Sequence, residues 1–210
     1  MLNVLIAGVG GQGSVLAAKI LAQTSLAKGW QVRTAETIGM AQRGGDVTSH
    51  VRMGDRGETV EAPLIARGTA DVVIALEPGE GLRSLPYLSP SGLMVCASTP
   101  IPSVISSLNK DAYEAEPMLD YLREQVPHFT AVDDEAICQQ VGSRKVLNVV
   151  MLTAAVWMSQ GSAFGLHGAI GIDELKDALE ACVKERFVSL NIAAVDATVD
   201  ALAVLAIYLL

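Results

Sequence analysis

The sequence predicts an α/β fold: a doubly wound, mostly parallel, Rossmann-like sheet with a helical C-terminal extension. Three observations carry this expectation. Short apolar runs alternate with helix-period segments across residues 1–142. A cluster of glycines, Gly8-Val9-Gly10-Gly11-Gln12-Gly13, punctuates the first strand-to-helix junction. Helical patterning alone follows over residues 143–210, a segment expected to pack on the α/β domain. A chain of 210 residues suits one such unit. Half of the residues are apolar but only 4% are aromatic, so the core is built from Ala, Val, Leu and Ile.

The elements follow in order. Asn3–Ala7 is a short apolar run ending at Gly8, as a strand buried on both faces requires. From Gly11 or Gln12 to Lys28, Val15, Leu16, Ile20, Leu21 and Leu26 recur at helical spacing, and Gly29 is a natural stop. Gln31–Ala35 reads as a second strand, Thr37–Asp46 as a glycine-rich loop, and Val47–Met53 as an alternating strand before the turn Asp55-Arg56-Gly57. Asp71–Leu76 is the clearest core strand, ended by Pro78 and Gly79. Leu93–Ala97 and Phe129–Val132 read as further strands, with a helix over Asp111–Gln125 between them. Glu135–Val141 is a short helix closed by Gly142, and Ser143 is positioned to cap the next one. That helix, Arg144–Gln160, is apolar almost all round and so buried on most sides. Asp173–Glu185 and Leu190–Leu210 complete the helical segment.

Composition narrows the function. Lys and Arg number 15 against 23 Asp and Glu, a net charge of −8, which argues against a nucleic-acid binder. Charged residues make up 18% of the chain, below the usual figure of about 25%. So apolar an exterior suggests that another chain covers part of it. Cys96, Cys138 and Cys182 match neither a zinc nor a ferredoxin spacing, and their sparse, odd count suits a reducing compartment. The N-terminus reads as a strand rather than a signal peptide. The apolar tail Ala201–Leu210 is shorter than the roughly 20 residues of a membrane span. A cytoplasmic protein without membrane or nucleic-acid partners is expected.

Two motifs carry chemistry. In the glycine turn, Gly8 permits a tight bend, Gly10 lets backbone approach a phosphate or another chain, and Gly13 lets the helix pack close to the sheet. The helix N-terminus offers unpaired N–H groups to an anion, and Glu36 follows 23 residues after Gly13, near where an acid would hold a ribose. This is the pattern of an NAD or FAD site in a free-standing oxidoreductase. The same glycines also serve a plain strand-to-helix turn. Gly11 opens the loop beyond what a dinucleotide needs, and no dehydrogenase constellation follows. The second motif is Gly39-Met40-Ala41-Gln42-Arg43-Gly44-Gly45. It sets one arginine, with five donors in a fixed fork, in a glycine-flanked loop where open α/β sheets place ligands. Gln42 adds a donor and an acceptor, and Met40 an adaptable apolar contact. This loop is expected at an active site or an interface.

The turn GVGGQG, Glu36, GMAQRGG and Ser49-His50-Val51-Arg52 together resemble the beta subunit of the indolepyruvate ferredoxin oxidoreductases, whose domain is the gamma subunit of the wider 2-oxoacid ferredoxin oxidoreductase family. The resemblance continues through Ala70-Asp71, Ala75-Leu76-Glu77-Pro78, Lys145–Leu152 and Asn191, and fails over Ser98–Pro127. MAQRGG points to the aryl- or indolepyruvate branch. The resemblance implies oxidative decarboxylation of a 2-oxoacid with coenzyme A (CoA) to an acyl-CoA. Two electrons pass to ferredoxin, with thiamine diphosphate, Mg and iron–sulfur clusters doing the chemistry. In this branch those groups belong to a large alpha subunit, which also meets ferredoxin. This chain would hold no cofactor and no metal of its own, and would supply no catalytic residue.

Other polar groups carry less. Ser49 and His50 are strand neighbours facing opposite ways, so they cannot pair. His128 and His167 stand alone. Asp133, Asp134 and Glu135 sit where a helix start favours negative charge. Glu77 and Glu80 flank Pro78-Gly79 at a strand end, a place for a ligand contact. Asn148, inside an apolar helix, must find partners internally or across an interface.

Overall fold

Strand β1 (Leu2–Val9) is buried at every residue except Asn3, because it lies inside a sheet covered on both faces. The computed structural model describes residues 1–39, 45–102 and 113–208. The elements after β1 are α1 (Ser14–Ala27), β2 (Gln31–Ile38), β3 (Asp46–Gly54), β4 (Ala70–Ala75), α2 (Pro78–Ser84) and β5 (Leu88–Ala97). Next come α3 (Ala115–Gln125), β6 (His128–Val132), α4 (Asp134–Val141), α5 (Leu147–Met158), α6 (Ile172–Cys182) and α7 (Val188–Tyr208).

The six strands are ordered β2-β3-β1-β4-β5-β6. β1, β4, β5 and β6 pair in parallel. β3 runs antiparallel to both of its neighbours, so β2 points the same way as β1. The expected mostly parallel sheet is therefore present, with one reversed strand inserted between β1 and β2. The layers are unequal. On one face Val4, Ile6, Val72, Ile74 and Val95 join a buried cluster with α1 and α4–α7. On the other, Leu5, Val73, Met94 and Cys96 pack with Leu119 and Leu122 of α3. Buried side chains from Val146 to Leu202 thus join the cluster over the first face.

Some boundaries differ from expectation, for identifiable reasons. Pro78 and Gly79 end β4 but also begin α2. Pro78 stands in its first turn and the Glu77 carboxylate caps it, accepting from Glu80 N–H at 2.5 Å. Ser143 caps a short 3₁₀ turn, Arg144–Val146, rather than α5 itself. The helix expected over Asp111–Gln125 is seen from Ala115.

α7 merits a separate reading. Glu185–Val204 has a mean hydropathy of 1.6 and the length of a membrane span. Its inward residues Ala194, Val195, Ala197 and Leu202 nevertheless belong to the main buried cluster, where α7 meets α4, α5 and α6. Buried Thr198 satisfies its hydroxyl by donating to Ala194 O at 2.7 Å. α7 therefore has one face in the core and leaves Ser189, Ala193, Asp196, Asp200 and Val204 exposed.

His50 lies on β3 and is 3% exposed. Its Nδ1 accepts the Ile65 N–H at 3.2 Å, and Tyr87 meets the ring edge-on at 6.1 Å between centroids. Burial pushes the imidazole below its ordinary value of 6.5. On acidification the unfolded chain therefore takes up this proton before the folded one. The contribution of the neutral ring is whole above about pH 6.5 and is lost as pH falls below it. Urea-unfolding midpoints are expected to fall between about pH 7 and pH 5.5, and His50→Gln is expected to flatten that part of the profile.

Candidate functional site

In an open α/β sheet the crevice for a ligand lies at the carboxyl ends of the strands, where the winding direction reverses. Here that place is between β1 and β4. The glycine turn leaves β1 there, and Leu76–Glu80 leaves β4. The crevice is spanned by a side chain of the turn itself. Gln12 Oε1 accepts the Val9 N–H at 2.7 Å, and its Nε2 donates to Leu76 O at 2.7 Å. Gly8 makes room for this arrangement, because a Cβ there would come within 2.7 Å of Gln12 Oε1.

Gly13 is the N-cap of α1, with φ +84°. A Cβ on it would approach Asn148 Nδ2 to 2.9 Å. The reason is a direct contact: Asn148 of α5, 1% exposed, donates its amide to Gly13 O at 3.1 Å. The lone amide in the apolar helix is thus the strut that holds the glycine turn from below. Its Oδ1 has no partner among the described residues.

The arginine loop and the glycine turn meet. β2 and β3 form a hairpin whose register runs to Ile38↔Val47. Beyond that pair, Gly39 N–H donates to Asp46 O at 2.8 Å. Gly45 then presents its carbonyl to Gly10 N–H at 3.0 Å. The end of the arginine loop is therefore bonded to the glycine turn, at the carboxyl edge. Met40, Ala41, Gln42, Arg43 and Gly44 lie outside the described residues. Gly11, with φ +99°, has no atom within 4 Å of where a Cβ would sit and faces open space.

Glu36 is not brought to this place. It is exposed on β2, in register with Ser49, which is itself in register with Ile6 of β1. Two strand spacings, about 10 Å, separate it from β1. The inserted β3 removes the geometry by which an acid at the end of a second strand would reach a ribose beside the glycine turn.

The other acids of the edge hold the frame together. Glu77, fully buried, caps α2 and accepts the Tyr113 hydroxyl at 2.7 Å. Burial raises the Glu80 carboxyl, opposed by its bond to Arg83. Asp134, also fully buried, accepts from Thr99 N–H at 3.0 Å and pairs with Arg144. Asp133 caps α4 through the Ala136 N–H. His128 stacks on Phe164 at 4.0 Å. The spanning role of Gln12, the Tyr113–Glu77 bond and the burial of Asp134 were not anticipated from the sequence; only the lone Asn148 carried a signal.

The thiols do not converge. Cys96 belongs to the cluster on the α3 side of the sheet, Cys138 to the cluster on the opposite side, and Cys182 ends α6. Burial drives the Cys96 thiol far above its ordinary value. Placed on opposite faces, these cysteines do not fit an iron–sulfur cluster. Among the described residues, no group of three or more His, Cys, Asp and Glu side chains is placed to hold a metal ion.

The Gly13–Asn148 contact yields a quantitative expectation. Gly13→Ala should cost about 2–4 kcal/mol, from left-handed backbone strain together with the clash on Asn148. In an Asn148→Ala background the same substitution should cost only the strain, about 1–2 kcal/mol. Chemical denaturation of the four proteins of this cycle measures the difference.

Comparison with known proteins agrees with this architecture. The family model for pyruvate ferredoxin/flavodoxin oxidoreductase matches residues 3–201. The indolepyruvate oxidoreductase subunit IorB of Archaeoglobus fulgidus is 38% identical over 196 residues, covering 92% of this chain and 91% of that protein. The protein of the same name from Thermococcus kodakarensis is 34% identical over 204 residues, 95% of each chain. Among solved structures, the keto/oxoacid ferredoxin oxidoreductase gamma subunit from Geobacter sulfurreducens superposes with a TM-score of 0.67 at 22% identity. It covers 95% of this chain and 97% of that one, a likeness of fold. With a family match spanning nearly the whole sequence, and with relatives above 30% identity end to end, this chain belongs to the pyruvate ferredoxin/flavodoxin oxidoreductase family.

Proposed function

We propose that the chain is the small, cofactor-free subunit of an indolepyruvate-type 2-oxoacid:ferredoxin oxidoreductase in the cytoplasm. A large partner subunit carries thiamine diphosphate, Mg and the iron–sulfur clusters and passes electrons to ferredoxin. The overall reaction takes a 2-oxoacid, CoA and two oxidised ferredoxins to an acyl-CoA, carbon dioxide, a proton and two reduced ferredoxins. Thiamine diphosphate supplies the carbanion stabilisation that decarboxylation needs, and the clusters supply the electron path. The observation that carries this reading is the 38% identity, over 92% of the chain, to a protein named as an indolepyruvate oxidoreductase subunit. A second observation supports the division of labour. In the 2-oxoglutarate:ferredoxin oxidoreductase of Magnetococcus marinus, a region of this fold is 31% of a longer chain, at a TM-score of 0.65.

On this reading the carboxyl edge is a contact surface. The glycine turn, pinned by Gln12, Asn148 and Gly45, presents backbone outward at Gly11. Arg43, carried between Gly39 and Gly45, supplies a guanidinium for a carboxylate of substrate or partner. A free-standing NAD or FAD enzyme is disfavoured by the same geometry, since Gln12 fills the crevice and Glu36 stands two strands away.

Three measurements test this. The chain co-expressed with its large subunit should co-purify with it and turn over aryl 2-oxoacids, whereas the chain alone should carry no stoichiometric iron and no activity. Titration calorimetry of the lone chain with NAD or FAD should give no saturable heat, and a fitted 1:1 isotherm would overturn the reading. In the assembled enzyme, Arg43→Ala should lower kcat/KM by at least about tenfold, as loss of a charge-assisted hydrogen bond does, with partial recovery in Arg43→Lys.

A further inference from the structure

A groove of about 300 Å³ lies on the thick helical layer, beside the start of α1. The first turn of α1, the 3₁₀ turn before α5, the end of α6 and the start of α7 enclose it. Leu16, Val183, Phe187 and Leu190 give it an apolar floor and walls, and Lys145 and Lys184 stand at its rim. Phe187, in its wall, is 41% exposed, so the groove opens onto apolar surface.

The rim identifies the occupant. This chain has 23 carboxylates against 15 lysines and arginines, so a lysine has acids to spare around it. Lys28 and Lys176 are each paired, with Glu174 and Asp196. Lys145 and Lys184, like Lys19, form no ion pair among the described residues, and both of them flank the same groove. A segment with an apolar anchor beside one or two carboxylates would bury the exposed Phe187 and the partly exposed Leu190 and neutralise both ammonium groups. We propose that this groove is where the large partner subunit docks, through such an acidic-apolar segment. The proposal rests on the subunit reading above. It goes further in extending the contact onto the helical layer beside the glycine turn.

Cys182 lines the groove and is partly exposed, whereas Cys96 and Cys138 are buried, so the native chain carries its own reporter. Iodoacetamide labelling of Cys182 is expected to slow at least tenfold in the complex relative to the free chain. The double reversal Lys145→Glu/Lys184→Glu should weaken association with the large subunit at least tenfold. Reversal of exposed Arg67, in the loop before β4, should leave association unchanged. These lysines are exposed and unpaired, so the variant should fold, which circular dichroism checks. Should Cys182 prove unreactive in the free chain, the charge-reversal affinities decide alone. An intact complex in which Cys182 labels at the free rate and the double variant binds as wild type overturns the proposal while leaving the subunit reading standing. So does saturable binding of 1-anilinonaphthalene-8-sulfonate in the groove of an intact complex. Failure of any complex to form removes both.

Discussion

The reversed strand β3, seated between β1 and β2, decides what the carboxyl edge of this sheet can do. A plain doubly wound sheet would set β2 directly against β1 and bring the end of β2 beside the glycine turn. Here β3 occupies that position along its whole length, from Leu2↔Met53 to Val9↔Asp46. Two consequences follow from one insertion. Glu36 is carried two strands outward, and the chain entering β3 passes directly over the turn. The Gly10–Gly45 bond is the product of the second. The feature that carries Glu36 away from the glycine turn therefore also joins the two segments most unusual in the sequence.

The turn is held rigid from three directions although it contains four glycines. Gln12 ties it to the end of β4, Asn148 supports it from α5, and Gly45 bonds to it from the hairpin. Each tie uses a polar group that would be costly to leave unpaired in so apolar an interior. The acids of the edge are committed in the same way. Glu77 and Asp134 spend their oxygens on helix caps, hydroxyls and neighbouring backbone. They are parts of the frame, whereas backbone at Gly11 is exposed.

Local rules made much of this legible in the sequence. β1, α1, β4 and α5 follow from apolar period and glycine stops, because their burial is of the kind that pattern reports. The hairpin is different. Val47, Ser49 and Val51 alternate identically in either strand direction, so the direction of β3 had to come from its connection. A short glycine-rich link between two strands does signal a hairpin, but the same glycines read equally well as a ligand loop. α2 was hidden by Pro78, which stops a strand and starts a helix with equal ease. Gln12 carried no signal, since its two bonds depend on Val9 and Leu76 being brought together by the parallel pairing of β1 and β4.

The unequal layers explain the low charge of the chain. Among the described residues, one face of the sheet carries two helices and the other five, so α5 is enclosed on most sides and has little use for polar residues. Thr153, Ser159 and Thr198, buried within this layer, return their hydroxyls to carbonyls four residues earlier, which lets them sit there without outside partners. Apolar composition is thus largely accounted for by internal packing. The apolar surface at Phe187, in the wall of the groove, is one part that internal packing does not cover. It lies on the layer that also carries Asn148, the support of the glycine turn.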